Sequence, residues 1–334
     1  MPLAGESRLS NIGRFAIVRE EIPYRKSDPM SKKLRGNLLL LLTALIWGSA
    51  FVAQSAGMDY VQPFTYNGIR TVLGGLVLLP VVLLSRRLRP AAQRPDAAAQ
   101  KAIDRASVRA GLICGVFLCI ASSFQQYGVS MTTAGKAGFI TALYIVIVPL
   151  LGIFIKKKIP SVIWGCVAIA VAGFYLLCVK DGFSVSTGDL LVLCCAFFFS
   201  LHIMAIDRFT VGPIDGVLMS CVQFLTAGGI TLVLMLVFDT PVWANIWAAR
   251  WTILYAGVLS CGVGYTLQIL GQKDTDPTVA TLIMSLESVF AALSGWLILQ
   301  EKLSVRELIG CALVFAAVIL AQIPLPAKNK KKES

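Results

Sequence analysis

The sequence predicts an all-α integral membrane protein with ten transmembrane helices, arranged as two inverted repeats of five helices each. Hydrophobic residues make up 57% of the chain and charged residues only 14%, whereas a soluble domain carries about 25% charged residues. The hydrophobic residues occur in long uncharged runs, close to the roughly 20 residues that a helix needs to span a bilayer. The runs of the second half also resemble those of the first half in order and in composition.

Ten apolar segments divide the chain into two halves. We expect a basic N-terminal tail at 1–35, a first repeat at 36–180, a second repeat at 187–323 and a basic C-terminal tail at 324–334. The predicted spans are 36–58, 63–85, 108–131, 134–155, 160–179, 188–206, 213–238, 247–271, 277–299 and 305–323. Prolines stand at four predicted helix starts, where a missing N–H group costs nothing: Pro63, Pro160, Pro213 and Pro277. Pro80 and Pro149 lie inside spans, where proline is expected to kink a helix.

Lysine and arginine residues predict the orientation. With the N-terminus in the cytoplasm, the inner segments hold 24 of the 30 Lys and Arg residues, and the outer loops hold four. Because basic loops stay on the cytoplasmic side, we expect both termini inside, in the cytoplasmic (inner) membrane. The inner loop 86–107 is rich in Ala, Arg and Pro, so we expect a mobile linker on the anionic lipid surface. Membrane lipids are expected partners, and a monomer can suffice because one chain carries both repeats.

Composition excludes several other classes. The chain has a formal charge of +12, but its basic residues lie beside the spans and form no nucleic-acid-binding pattern. We therefore expect no nucleic acid partner. The nine cysteines lie in or beside apolar runs, form no CxxC pair and accompany a single histidine. We therefore expect no metal, no cofactor and no disulfide framework. No apolar signal-peptide core precedes the first span, and MSKKLRGN leads straight into it, so we expect Met30 to be the native start.

An internal repeat relates the third and fourth spans of the two halves. FQQYGVSMTTAGKAGFITALYI can be laid on YTLQILGQKDTDPTVATLIMSLES. Gln125 then matches Gln268, and Tyr144 falls opposite Glu287. Because five is odd, the halves enter the membrane with opposite orientations. Inverted repeats with a site at the midplane between them are a recurring plan of secondary transporters.

Glu287 is the carboxylate that lies deepest in an apolar run. It follows Asp276 by eleven residues, about 16 Å along a helix, which is close to the bilayer midplane. An ionisable group there costs roughly 2.5–3.5 kcal/mol, so it usually marks a transport pathway or a coupling site. The alternative is a protonated side chain that is hydrogen-bonded to a neighbouring helix. Tyr144, its repeat counterpart, is likewise close to the middle of its span.

Arg70 and Trp47 are further candidates within spans. Arg70 lies about seven residues into the second span, where its fork of donors can attract a carboxylate. A structural role is the alternative, because arginine is long enough to reach outward to the interface. The segment RTVLGGL that begins at Arg70 matches QFLTAGGI, which begins at Gln223. Trp47 lies mid-span, away from the interfacial belt. In this position its indole can stack on an organic ligand or fill the core.

Three more polar side chains lie within spans. Gln125 and Gln268 can bridge helices or line a polar cavity, and the sequence does not separate these roles. His202 can relay protons. A lone histidine two residues after Ser200 is also typical of a hydrogen bond between helices.

Several of these segments carry a family resemblance. ALIWGSAF at 44–51, TYNGIRTVLGGL at 65–76 and LESVFAALSGWLILQEKLS at 286–304, with the paired third-to-fourth-span segments, resemble EamA-type members of the drug/metabolite transporter superfamily. The likeness covers about residues 36–323. The family commonly has proline after the ninth-span glutamate, whereas this chain has Ser288; the family's glutamate before the last span is kept at Glu301.

The resemblance implies a secondary active transporter that moves a small organic metabolite, such as an amino acid or a related compound, by alternating access. It favours export. From its position within the ninth span alone, we expect Glu287 to couple transport to protons. An uncoupled facilitator or exchanger, in which Glu287 orients the substrate, is the first alternative. An intramembrane enzyme is a remote alternative, because no HExxH, GxSxG or phosphate-binding glycine loop is present. A channel is disfavoured because no filter segment is evident.

Overall fold

The chain folds into helices. The computed structural model describes residues 29–90, 94–131, 134–157, 159–178, 186–298 and 304–322, and these ranges contain no β-strand. The helices are α1 (Pro29–Met58), α2 (Pro63–Arg87), α3 (Ala97–Val129), α4 (Ala134–Ala142), α5 (Tyr144–Phe154), α6 (Ser161–Cys178), α7 (Thr187–Thr210), α8 (Gly216–Phe238), α9 (Trp243–Ala248), α10 (Arg250–Leu254), α11 (Tyr265–Gln272), α12 (Pro277–Met284), α13 (Leu286–Ile298) and α14 (Val305–Gln322). A π-helical segment, Tyr255–Gly264, joins α10 to α11.

Seven helical stretches of the described residues are long and apolar enough to cross a membrane, by length and composition. They are Ser31–Met58, Pro63–Arg87, Ala97–Val129, Thr187–Thr210, Gly216–Phe238, Arg250–Gln272 and Pro277–Ile298. Two shorter apolar helices accompany them, Ile140–Phe154 and Ser161–Leu176. Large apolar side chains cover the outside; Phe154 is 84% exposed and Leu236 is 72% exposed. A surface of this kind suits lipid, and the helices indicate a multi-pass membrane protein.

The two halves interlock. The helix pairs α1–α13, α2–α8, α3–α7 and α6–α14 pack against each other, and each pair joins one helix from each half. Glycines allow the closest approaches. A Cβ atom on Gly48 would lie 2.6 Å from the Glu287 carbonyl oxygen, and one on Gly228 would lie 2.8 Å from the Val72 backbone nitrogen. Small residues at such positions let membrane helices touch backbone to backbone.

Polar side chains join α2 to α8 at both ends. Gln62, the residue before α2, makes no capping hydrogen bond with its side chain. Oδ2 of Asp239, the residue after α8, instead accepts hydrogen bonds from the Thr65 backbone N–H at 2.6 Å and from the Thr65 hydroxyl at 2.8 Å. At the other end, Arg86 Nε of α2 lies 3.7 Å from Oδ2 of Asp215, which precedes α8. The first turn of α2 is thus capped by a residue of the second half.

The prediction of a mobile linker at 86–107 is wrong for the second part of this segment, because α3 begins at Ala97. Asp96 starts this helix by accepting a hydrogen bond from the Ala99 backbone N–H at 2.7 Å. Arg86 Nη2 and Asp104 Oδ1 form an ion pair at 2.7 Å, which holds the helix extension against the end of α2. Capping and ion pairing therefore order a stretch whose composition is typical of a linker.

The helix start predicted at Pro213 is also wrong. The helix α8 begins at Gly216, and Oδ1 of Asp215 accepts hydrogen bonds from the backbone N–H groups of Val217 and Leu218 at 3.1 Å. Aspartate is a strong N-cap residue, and it outweighs the proline signal two residues earlier. At Pro63 and Pro277 the predicted starts are confirmed.

The fourth and ninth predicted spans are interrupted rather than continuous. The first of these breaks at Leu143, between α4 and α5, and the other at Ser285, between α12 and α13. The backbone tightens at both points, with hydrogen bonds from Val146 N–H to the Leu143 carbonyl at 2.9 Å and from Ser288 N–H to the Ser285 carbonyl at 3.3 Å. Residues 1–28, Glu301 and 323–334 lie outside the described residues.

Candidate functional site

A cavity lies among the helices of both halves. Its walls come from α1–α5, α7, α8, the π segment and α11–α13. Most of the residues predicted from the sequence as candidates line it. These are Trp47, Arg70, Gln125, Tyr144, Gln268 and Glu287.

Glu287 and Tyr144 meet inside this cavity. The Tyr144 hydroxyl donates a hydrogen bond to Glu287 Oε1 at 3.0 Å, and the two residues are only 3% and 6% exposed, respectively. Tyr144 is the first residue of α5 and Glu287 is the second residue of α13. Each therefore lies directly after a helix interruption. The first turn of a helix carries partial positive charge, which stabilises a carboxylate there.

Arg70 enters the cavity from α2 and does not reach outward, since it is only 6% exposed. Its Nε and Nη2 atoms donate hydrogen bonds to Asn67 Oδ1 at 3.1 and 3.0 Å. The Asn67 amide nitrogen donates to Ser122 Oγ of α3 at 3.0 Å. Among the described residues, no carboxylate lies within ion-pair distance of Arg70, and no cation lies within that distance of Glu287.

Trp47 lines the cavity, and its indole N–H is hydrogen-bonded within the protein. The indole Nε1 donates to the Ser260 carbonyl at 3.3 Å, and the ring centroid lies 4.5 Å from that of Tyr265. One turn earlier on α1, the Thr43 hydroxyl lies 3.0 Å from the Leu39 carbonyl of its own helix and 3.2 Å from the Gly264 carbonyl, so the two acceptors share its single proton. Two side chains of α1 thus reach carbonyl groups of the π segment, a helix form that often occurs at functional sites.

The two glutamines of the internal repeat both line the cavity, Gln125 from α3 and Gln268 from α11. His202 and Gln223 do not line it. They are fully buried, and His202 Nε2 lies 3.1 Å from Gln223 Oε1, which joins α7 to α8. The hydroxyl of Ser200 donates to the Ala196 carbonyl at 2.7 Å instead of contacting this histidine.

Sequence reasoning missed the other lining residues, among them Gln54, Asn67, Ser122 and Tyr265. Asn67 precedes Arg70 by three residues, and this spacing places both on one side of a helix. That signal was present in the sequence. Tyr265 carries no comparable signal, because aromatic residues are common along apolar spans.

The described residues contain no group of three or more His, Cys, Asp or Glu side chains that could hold a metal ion. The eight cysteines whose side chains the structure describes are free thiols, and all of these except Cys194 are buried. The polar chemistry of the cavity therefore rests on one guanidinium, one carboxyl group, amides and hydroxyls.

An all-helical membrane protein with charged side chains around an internal cavity belongs, by its architecture, with the proteins that move solutes across membranes. Comparison with known proteins gives the family. The sequence matches the EamA-like transporter family twice, over residues 34–179 and 186–322. The chain belongs to the EamA-like transporter family.

Individual relatives agree with this assignment. An uncharacterized transporter of Archaeoglobus fulgidus is 30% identical over 298 residues, which is 87% of each chain. The uncharacterized transporter YoaV of Bacillus subtilis is 20% identical over 289 residues, covering 84% of this chain and 94% of YoaV. One crystal structure superposes with a TM-score of 0.69 at 18% identity, covering 88% of this chain and 96% of that one. At this identity the superposition shows a shared fold.

Proposed function

We propose that the protein is a secondary active transporter that carries a small organic metabolite across the cytoplasmic membrane by alternating access. All ten predicted segments span the membrane, and both termini lie in the cytoplasm. The substrate is an amino acid or a related compound that bears a carboxylate and an ammonium group. Export is the proposed direction, and it rests on the family resemblance alone.

The observation that carries this proposal is a guanidinium and a carboxyl group in one cavity. Arg70 and Glu287 line the same space, and neither has a partner of opposite charge among the described residues. A buried charge without a partner is costly, so such groups are expected to meet a complementary charge on a ligand. A zwitterion supplies both complements. Its carboxylate binds Arg70, and its ammonium group binds Glu287.

The helix interruptions support alternating access. They occur at Leu143 and Ser285, and the internal repeat aligns these two positions to within one residue. Discontinuous helices at equivalent positions of inverted repeats form the substrate site in several transporter folds. In the proposed mechanism, bundles of helices tilt around this site and open it to one side of the membrane at a time.

A substrate panel tests the proposed charge recognition. Proteoliposomes that contain the purified protein are loaded with individual compounds of a metabolite library, and counterflow uptake is measured. The hits are then compared with two analogues, one lacking the carboxylate charge and one lacking the amino group. We expect the zwitterion to bind best. Arg70→Gln should weaken uptake about thirtyfold or more, since losing one partner of a buried charge pair costs about 2–5 kcal/mol.

Arg250→Gln is the matched control, because Arg250 lies outside the cavity, stacked on the rings of Trp247 and Trp251. This variant should transport like wild type. Analogues that compete equally well without either charge, or wild-type uptake by Arg70→Gln, would overturn the proposed recognition. Counterflow that never responds to a pH gradient would support the uncoupled exchanger instead.

A further inference from the structure

We propose that Asn67 determines the charge specificity of the cavity, because it positions the Arg70 guanidinium without neutralising it. The inference rests on the proposed function, since it assigns the carboxylate of the substrate to Arg70. It adds Asn67 to the residues that determine specificity. The neutral amide of this side chain allows the cavity to accept an anion, whereas a carboxylate of the same shape would not.

The hydrogen bonds fix the guanidinium from one side. Asn67 Oδ1 accepts from both Nε and Nη2 of Arg70, at 3.1 and 3.0 Å. An arginine side chain has five N–H donors in a rigid fork, so the two bonds to Asn67 leave three donors for a ligand. The Tyr66 ring, 5.7 Å from the guanidinium carbon, packs on the same group without adding a formal charge.

The support behind Asn67 is also uncharged. The Asn67 amide nitrogen donates to Ser122 Oγ at 3.0 Å, and Ser122 donates to the Cys119 carbonyl at 3.3 Å. This chain of contacts orients the amide and ends at a backbone oxygen of α3. Arg70 is therefore held by neutral acceptors only, and its positive charge stays available in the cavity.

An acid at position 67 would reverse this outcome. Asp has the same shape as Asn, and its carboxylate would accept the same two hydrogen bonds as a charged pair, which is stronger than a neutral contact. The internal carboxylate would then occupy Arg70 in competition with the substrate. Asn67→Asp, which replaces one nitrogen by oxygen, is thus expected to prevent anions from binding in the cavity while the fold is kept.

The direct contact is tested by a thermal double-mutant cycle on purified protein. The four proteins are wild type, Asn67→Asp, Arg70→Gln and the double variant. If no other group balances the positive charge of Arg70, Asn67→Asp should raise the Tm or leave it unchanged when Arg70 is present. The same substitution should lower the Tm in the Arg70→Gln background. Residues in contact give non-additive effects, and the sign follows from the attraction between the carboxylate introduced by Asn67→Asp and the Arg70 guanidinium. Additive Tm shifts would show that Asn67 does not act on the charge of Arg70, which would overturn the inference.

The effect on the substrate is tested by uptake of the zwitterion identified by counterflow. Asn67→Asp should raise the KM about tenfold or more, as competition by a buried ion pair implies, with a smaller change in kcat. Asn67→Ala, which loses the acceptor without adding charge, should raise the KM less and keep the preference for carboxylates. Asn245→Asp makes the same change at an exposed position of α9 and should have no effect.

The outcomes separate this inference from the proposed function. A wild-type KM in Asn67→Asp would overturn the inference while leaving the transporter assignment intact. Coupled Tm values in a protein that carries no carboxylate compound would overturn the proposed substrate and still support the positioning of Arg70 by Asn67. Coupled Tm values together with the loss of uptake in Asn67→Asp, and none in Asn245→Asp, would support both.

Discussion

At the scale of single residues, the Tyr144–Glu287 hydrogen bond joins the two halves within the cavity. A carboxyl group in this place can respond to the pH on whichever side the cavity opens. Tyr144 holds one oxygen, which leaves the other for a proton or for the ammonium group of a substrate. The two uses exclude each other, and in the proposed mechanism this exclusion would couple the substrate to protons.

Glu287→Gln should therefore remove the dependence of transport on a pH gradient. Glutamine keeps a hydrogen-bond acceptor for Tyr144 but cannot release or take up a proton. Uptake into proteoliposomes with and without an imposed gradient measures the effect, and we expect equal rates in the variant. Asp59→Asn removes an exposed carboxylate and serves as the control. Stimulation by the gradient in Glu287→Gln would exclude this residue as the coupling group.

Part of the site could be predicted from residue types alone. A charged side chain inside an apolar run is conspicuous, which is why Glu287 and Arg70 were found. Asn67 lies only four residues after the start of α2, where a polar residue looks like part of the membrane interface. His202 and Gln223 are equally polar and also lie within spans, yet they bind each other. Spacing shows that Asn67 shares a helix face with Arg70, but which faces line the cavity depends on how each helix is rotated against its neighbours, and a single sequence does not show this.

At the scale of helices, apolar runs predicted where the helices lie but not where they break. Ser285 has a local reason to interrupt its helix, because its hydroxyl donates to the Leu282 carbonyl at 2.7 Å and competes with the backbone. Leu143 has no such group, and Pro149 lies further along within α5. The break at Leu143 therefore depends on packing against other helices, which sequence patterns do not report.

Adjacent glycines on α8 give a matched test of helix contacts. A Cβ atom on Gly228 would lie 2.6 Å from Val72 Cγ2 and 2.8 Å from the Val72 backbone nitrogen, whereas Gly229 has nothing within 4 Å. Gly228→Ala should destabilise the protein by about 1–3 kcal/mol, because α2 and α8 must move apart. Gly229→Ala should be neutral or stabilising by up to about 1 kcal/mol. Thermal unfolding in detergent measures both, and equal Tm values would contradict the packing of α2 on α8.

At the scale of the whole molecule, the two sequence halves do not form separate bodies. The pairs α2–α8 and α3–α7 each combine both halves, and α2 is joined to residues beside α8 at both ends. In the proposed alternating-access mechanism, the tilting bundles must therefore contain helices from both repeats. The Lys157–Asp207 ion pair, at 2.7 Å, also connects the two halves and lies on the side predicted to be cytoplasmic.

The predicted orientation is tested by cysteine labelling in cells. Asn245 and Lys101 are both exposed, on the predicted outer and inner sides. In a Cys194→Ala background, which removes an exposed native thiol, a membrane-impermeant maleimide should label Asn245→Cys in intact cells. Lys101→Cys should react only after permeabilisation. The reverse pattern would place both termini outside and would contradict the distribution of basic residues.

The cap on α2 has a consequence for biosynthesis. Asp239 follows Thr65 by 174 residues, so α2 enters the membrane long before its capping residue has been made. Until then, water or lipid headgroups must bind the free N–H groups of its first turn. The hydrogen bonds from Thr65 to Asp239 form only after α8 has been inserted. The hydrogen bonding of the first half is therefore complete only after the second half has been synthesised and Asp239 has reached the first turn of α2.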